Sequence, residues 1–193
     1  MGLSIHYYGQ IRQYERIDEL ITEVADTCQS LGWTSQIIRE PNPDKLNGIC
    51  FAPKDSEPVF LTFLPGGRIC SPVNLMCRDI YEENGQASEL LYTISTKTQY
   101  AGFDAHIAVI KLLRYLKEKY FSVFEMTDEG MYWETNDENV LKSQFDKYNF
   151  IVNSFADALS EMKKIPGESP TSLADRIEEL FKRKFDDDSE EKQ

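Results

Sequence analysis

The order strand, helix, strand occurs twice along this chain, and that repetition limits the fold more than any other feature. In the first instance Leu3, Ile5 and Tyr7 alternate with Ser4, His6 and Tyr8, which is the two-residue period of a strand with one buried face. Ile17, Leu20, Ile21, Val24, Cys28 and Leu31 then recur at steps of three and four, predicting a helix over residues 14–31. Gly32 stands where a left-handed cap is wanted, and residues 34–39 predict a second strand that ends at Pro41-Asn42-Pro43. The second instance is a strand over 89–98, a helix over 104–120 and a strand over 121–126. Its helix carries Ile107, Ile110, Leu113, Leu116 and Tyr120 on one face.

Between the two instances lies a predicted meander of strands at 47–52, 59–64 and 69–71, turning at residues 53–58 and at Pro65-Gly66-Gly67-Arg68. Gly66-Gly67 lacks the following helix and the Lys-Ser/Thr pair of a phosphate loop. Residues 73–89 admit two readings. Ser71-Pro72 can open a short helix, and Asn84-Gly85 can turn a hairpin. After residue 126 the pattern predicts a hairpin around Thr127-Asp128-Glu129-Gly130, with a partner strand at 131–134. That register sets Phe124 against Trp133 and Met126 against Met131, and leaves Glu125, Tyr132 and Glu134 on the opposite face.

Thr135-x-x-Glu138 has capping-box spacing and predicts a helix over 137–164. Leu141, Phe145, Tyr148, Val152, Phe155, Leu159 and Met162 repeat along it in alternating steps of four and three. Pro166-Gly167 stops that helix. A shorter one follows over 172–184, with Leu173, Ile177, Leu180 and Phe181 on one side. These elements predict an α+β fold: a mixed or antiparallel sheet with helices mainly on one face, duplicated βαβ units in the ferredoxin-like manner, and a long C-terminal helix. The expected organisation is one domain over 1–165, a linker with a short amphipathic helix over 166–185, and a disordered acidic tail over 186–193.

Charge and composition narrow the function. The net charge is −12, and the last eight residues hold five acids and one lysine. An acidic surface repels phosphate backbones and anionic lipid, so neither nucleic acid nor membrane is an expected partner. A basic protein is electrostatically compatible. No apolar stretch is long enough to span a bilayer, and residues 1–8 lack the pattern of a secretory signal, so a cytoplasmic protein is expected. Cys28, Cys50, Cys70 and Cys77 form no C-x-x-C pair, and Cys28 and Cys50 read as small buried apolar residues.

No catalytic residue set, metal-ligand set or cofactor motif has its required spacing. The nucleophile elbow, the dinucleotide glycine pattern, the EF-hand loop and the two-histidine zinc helix are all missing. His106 falls in the first turn of a predicted helix, where a neutral imidazole is favoured and either capping or chemistry is open to it. Six carboxylates crowd residues 125–138, of which Asp128, Glu129, Asp137 and Glu138 are explained by the turn and the cap. The candidate binding residues are therefore Tyr100, His106, Glu125, Tyr132 and Glu134. Tyrosines bury contact area at small entropic cost, and the carboxylates can take a basic group or shift each other's pKa.

The run Thr98-Gln99-Tyr100-Ala101-Gly102, His106, Leu112-Leu113-Arg114-Tyr115-Leu116, Lys119-Tyr120-Phe121, Asp128-Glu129-Gly130 and Tyr132-Trp133-Glu134-Thr135 resembles that of uncharacterised bacterial proteins of similar size. The resemblance covers residues 89–160 and, less clearly, the first helix, and it assigns no chemistry to any residue. In general character, small, acidic, α+β and free of motifs, the chain is also similar to immunity proteins that neutralise bacterial toxins. These readings imply a non-enzymatic interaction protein that holds a basic partner. The alternative is a small-molecule-binding module or enzyme with a cleft between the two halves near Tyr100, His106 and Tyr132. A homodimer joined through the long-helix seam or the last helix is a further expectation.

Overall fold

The computed structural model describes residues 3–39, 45–83, 90–162, 165, 167 and 169–190. They form two compact units, Met1–Phe145 and Asp146–Gln193. The boundary falls inside the long helix, of whose described residues Leu141 and Phe145 are the last to be buried.

The first unit holds two three-stranded antiparallel ladders. In one, β1 (Ser4–Ile11) is central, flanked by β5 (Ile94–Lys97) and β6 (Phe121–Asp128). In the other, β2 (Thr34–Ile38), β3 (Asn47–Ala52) and β4 (Val59–Phe63) run in chain order. Isolated bridges from Arg68 to Gln10 and from Ile69 to Phe63 join β1 to β4. Buried Tyr7 joins the ladders again: its hydroxyl donates to the Phe60 carbonyl at 3.0 Å and accepts from the Phe60 N–H at 2.9 Å.

The fold is α+β, with antiparallel sheets and a long C-terminal helix, as the patterns predict. Of the two strand–helix–strand units, the second closes within one ladder. Both β5 and β6 run antiparallel to β1, so they are parallel to each other with β1 between them. The first unit splits, because both edges of β1 are occupied and β2 pairs with β3 instead.

Helix α1 (Ile17–Leu31) turns most of the predicted stripe inward, burying Ile17, Leu20, Ile21, Val24 and Cys28, whereas Leu31 in its last turn is 50% exposed. Gly32 ends it in the left-handed conformation at φ 67°. Residues 73–83 take the helical option, with α2 (Pro72–Met76) capped by Ser71 and followed by α3 (Arg78–Glu83); residues 84–89 lie outside the described ones. Helix α4 (Phe103–Tyr120) buries Ile107, Ile110, Leu113, Leu116 and Tyr120, and truncating any of these leucines or isoleucines to alanine costs about 2–5 kcal/mol. At Gly9 in β1 an added Cβ would sit 2.7 Å from the Val123 carbonyl oxygen, so β6 approaches here only because that position has no side chain.

The predicted hairpin after β6 does not form. Residues 131–134 are not a strand: Tyr132–Thr135 is one helical turn, α5, entered through Met131 and left through Asn136, both at positive φ. The contact that motivated the hairpin survives, since the Phe124 and Trp133 rings lie 6.0 Å apart. Thr135 does not cap the next helix, α6 (Glu138–Glu161); Asp137 does, accepting from the Asn139 N–H at 2.8 Å.

The second unit consists of the rest of α6 and of α7 (Pro170–Glu190). The expected disordered tail is helical as far as Glu190, and residues 191–193 lie outside the described ones. Among the described residues no helix is long and apolar enough to cross a membrane.

Candidate functional site

The end of β6 places two consecutive carboxylates on opposite faces of the sheet. Strand alternation turns Asp128 inward and Glu129 outward, and each meets one of the two histidines of the chain.

The inner pair is fully buried. His106 Nε2 lies 3.1 Å from Asp128 Oδ2, and His106 Nδ1 lies 2.7 Å from Thr98 Oγ1. Asp128 Oδ2 also accepts from the Tyr132 and Trp133 N–H groups at 2.8 and 3.0 Å, and Oδ1 accepts from the Gly130 N–H at 2.7 Å. Burial by itself would raise the Asp128 carboxyl, but the His106 ring and these backbone donors outweigh it and hold the group below its ordinary range. An ionised carboxylate only accepts, so His106 Nε2 carries a proton and donates to it.

Hydroxyl, imidazole and carboxylate thus stand in series, as a nucleophile, its base and an orienting acid would. Here all three are at most 1% exposed, so no substrate reaches them. What the network does is hold the segment after β6. Asp128 collects the amides that start α5, which is why those residues become a helical turn and not a strand. Gly130 is squeezed beneath it: an added Cβ would lie 2.5 Å from Leu141 Cδ1 and 3.1 Å from His106 Nε2. From α4, Arg114 donates to the Tyr132 and Trp133 carbonyls at 2.8 Å each and lies over both rings at 5.4 Å.

The outer face of the β5–β1–β6 ladder is open. Cross-strand pairing sets His6 between Ser95 and Thr127, and sets Tyr8 beside Glu125. His6 Nδ1 is 2.7 Å from Ser95 Oγ, and His6 Nε2 is 3.6 Å from Glu129 Oε1. Glu129 is anchored through Oε2, which accepts from the Ser4 N–H at 2.8 Å. A groove of about 370 Å³ runs over this face, lined by His6, Tyr8, Leu90, Thr93, Glu125, Met126 and Thr127. None of these is a lysine or an arginine. The Glu125 carboxylate, hydrogen-bonded to Tyr8, raises the phenol above its usual value. Among the described residues no group of three or more His, Cys, Asp and Glu side chains is placed to hold a metal ion.

The five residues picked from the sequence do not share one place. Glu125 lies on the open face and lines the groove. His106 and Tyr132 are buried and belong to the inner network. Glu134 accepts the Asp128 N–H at 3.1 Å, which satisfies an outward amide of the edge strand. Tyr100 is 64% exposed on a single 3₁₀ turn (Gln99–Ala101) and lines no part of the groove. The predicted face shared by Glu125, Tyr132 and Glu134 dissolves because it presupposed the hairpin. Sequence reasoning missed His6, Tyr8, Ser95 and Glu129 as neighbours. The alternation of residues 3–8 already put His6 and Tyr8 on one side; which strands flank them was not visible.

No known protein family, no curated protein and no solved structure matches the chain.

Proposed function

We propose that the protein works by recognition and not by catalysis, as a cytoplasmic, immunity-like binder that holds a basic protein partner against the open face of the β5–β1–β6 ladder. The observation that supports this reading is the groove itself. It has an apolar floor, a tyrosine, a histidine and the Glu125 carboxylate, with Glu129 nearby and no lysine or arginine in its lining. Such a lining favours a lysine or arginine side chain delivered by a partner, and the excess of negative charge on the chain steers a basic surface toward it. The contacts are Tyr8, Glu125 and Glu129; Tyr132, expected at this surface from the sequence, is buried.

An oligolysine peptide serves as the probe. Its addition should perturb the amide resonances of His6, Tyr8, Glu125 and Thr127, less so as ionic strength rises. Glu125→Lys with Glu129→Lys should abolish the effect. Perturbations spread evenly over the acidic surface, or unchanged in the double variant, overturn the reading.

A second reading, a small-molecule site or enzyme, is favoured by one observation: Ser95, His6 and Glu129 form an accessible hydroxyl–imidazole–carboxylate series. It moves the alternative site from Tyr100, His106 and Tyr132 to the outer face. Reaction of Ser95 with a fluorophosphonate, lost in His6→Gln, supports this reading; a Ser95 as inert as other surface serines removes it.

A further inference from the structure

The groove on the open face has a neighbour across β5. This second groove, of about 270 Å³, is walled by Pro58 and Phe60 at the start of β4, by Val73 and Asn74 of α2, and by Ile94 and Ser95 of β5. Thr93, the residue before Ile94, lines the first groove, so the two grooves share the start of β5 as a dividing wall. The Ser95 hydroxyl on the second groove lies 2.7 Å from the ring of His6 on the first. The wall is fixed from α2: Asn74 Nδ2 donates to the Leu90, Leu91 and Thr93 carbonyls at 3.0, 3.1 and 2.9 Å. Adjacent strands of a sheet lie about 4.8 Å apart, so neighbouring residues of one short segment reach both grooves.

In the second groove the polar side chains are already committed within the chain. Ser71 Oγ accepts the Asn74 N–H at 3.0 Å, Asn74 holds the three carbonyls, Ser95 meets His6, and Glu57 Oε2 accepts the Lys97 N–H at 2.8 Å. An incoming side chain therefore meets the carbon of Pro58, Phe60, Val73 and Ile94, and Val73, 57% exposed, is open to it. Apolar contact with a few fixed polar groups is what orients a ligand in such a site. Charge restricts the occupant further. Among the described residues that line either groove none is a lysine or an arginine, and the carboxylates are Glu57 and Glu125. An acidic segment is disfavoured there, and a second copy of this chain, which itself carries −12, gains no attraction.

We propose that the two grooves act as one site for a short segment of the basic partner, which seats a lysine or arginine over Glu125 and an apolar side chain against Phe60 and Val73. The composite site rests on the recognition reading and adds an apolar requirement to its requirement for charge. Two peptides of equal charge test it, an alternating lysine–leucine and an alternating lysine–serine hexapeptide, each titrated into the full-length chain while amide resonances are followed. Both perturb His6, Tyr8 and Glu125. Only the leucine peptide also perturbs Val73, Asn74 and Ser95, and it binds at least about tenfold more tightly, the gain from covering one leucine side chain. Val73→Gln removes most of that gain. A leucine peptide that binds no more tightly, that moves no amide of the second groove, or that keeps its full advantage in Val73→Gln overturns the composite site while the recognition reading stands. Second-groove resonances that move with protein concentration alone assign that groove to a second copy and also overturn the proposal. If neither peptide perturbs the first groove, the recognition reading fails and the composite site with it.

Discussion

Asp128 and Glu129 are neighbours in the chain, yet their carboxylates serve opposite faces of one sheet, the first 3.1 Å from His106 and the second 3.6 Å from His6. The inner pair is a structural fastening. The outer pair stands at a solvent-exposed groove edge. The two are coupled through the backbone, because the turn that Asp128 organises is the one from which Glu129 projects.

Replacing Asp128 by asparagine keeps the shape but turns an acceptor into a donor opposite the Tyr132 and Trp133 amides. The His106 Nε2–H loses a charged acceptor at the same time. The expected cost is about 1.5–3 kcal/mol in urea denaturation. A loss under about 1 kcal/mol would show that the network is not the fastening described.

The same carboxylate sets a pH dependence. Its folded-state pKa lies below the ordinary value of 3.8, so the folded chain binds fewer protons than the unfolded one in that range. The stability it contributes is complete above the unfolded value and is lost as pH falls through the folded one. Urea midpoints should decline more steeply below about pH 4 in the wild type than in Asp128→Asn. A steeper decline in the variant contradicts the sign.

Gly130→Ala tests the crowding beneath the turn. Its Cβ would press on Leu141 Cδ1 at 2.5 Å and on Asp128 Oδ1 at 3.0 Å, whereas at Gly66 nothing lies within 4 Å. We expect a loss of about 1–3 kcal/mol for Gly130→Ala and a change within about 0.5 kcal/mol for Gly66→Ala. Equal effects from the two would mean that space at Gly130 is not limiting.

On the open face, Tyr8 should titrate above its usual value of 10.0 because its phenol is hydrogen-bonded to the Glu125 carboxylate. NMR of labelled tyrosine rings should show Glu125→Gln returning the Tyr8 transition toward 10.0 and moving no distant tyrosine. An unmoved Tyr8 would mean that the pair does not exist in solution.

Much of the core was legible before any coordinates. The stripe Ile17, Leu20, Ile21, Val24, Cys28 is buried as its spacing demands, apart from Leu31 at the helix end, and the stripe on α4 is buried throughout. The segment after residue 126 was misread for a definite reason. Met131–Glu134 alternates as a strand would, and Phe124 does approach Trp133. Alternation could not reveal that the Asp128 carboxylate would gather the amides of Gly130, Tyr132 and Trp133 and bend the chain into a helical turn. His106 was placed correctly at the start of a helix, but nothing local connects it to a carboxylate 22 residues away.

The sequence by itself determined the periodic faces: which side of each helix and strand is apolar, and hence which residues compete for the interior. That information is local, because periodicity and propensity act over a few residues. Only the tertiary structure decided which strands lie beside β1, and with them the meeting of His6 with Ser95 and Glu129 and of His106 with Asp128. Such meetings depend on register and chain crossing between segments about 90–125 residues apart on the outer face, and no local pattern encodes them.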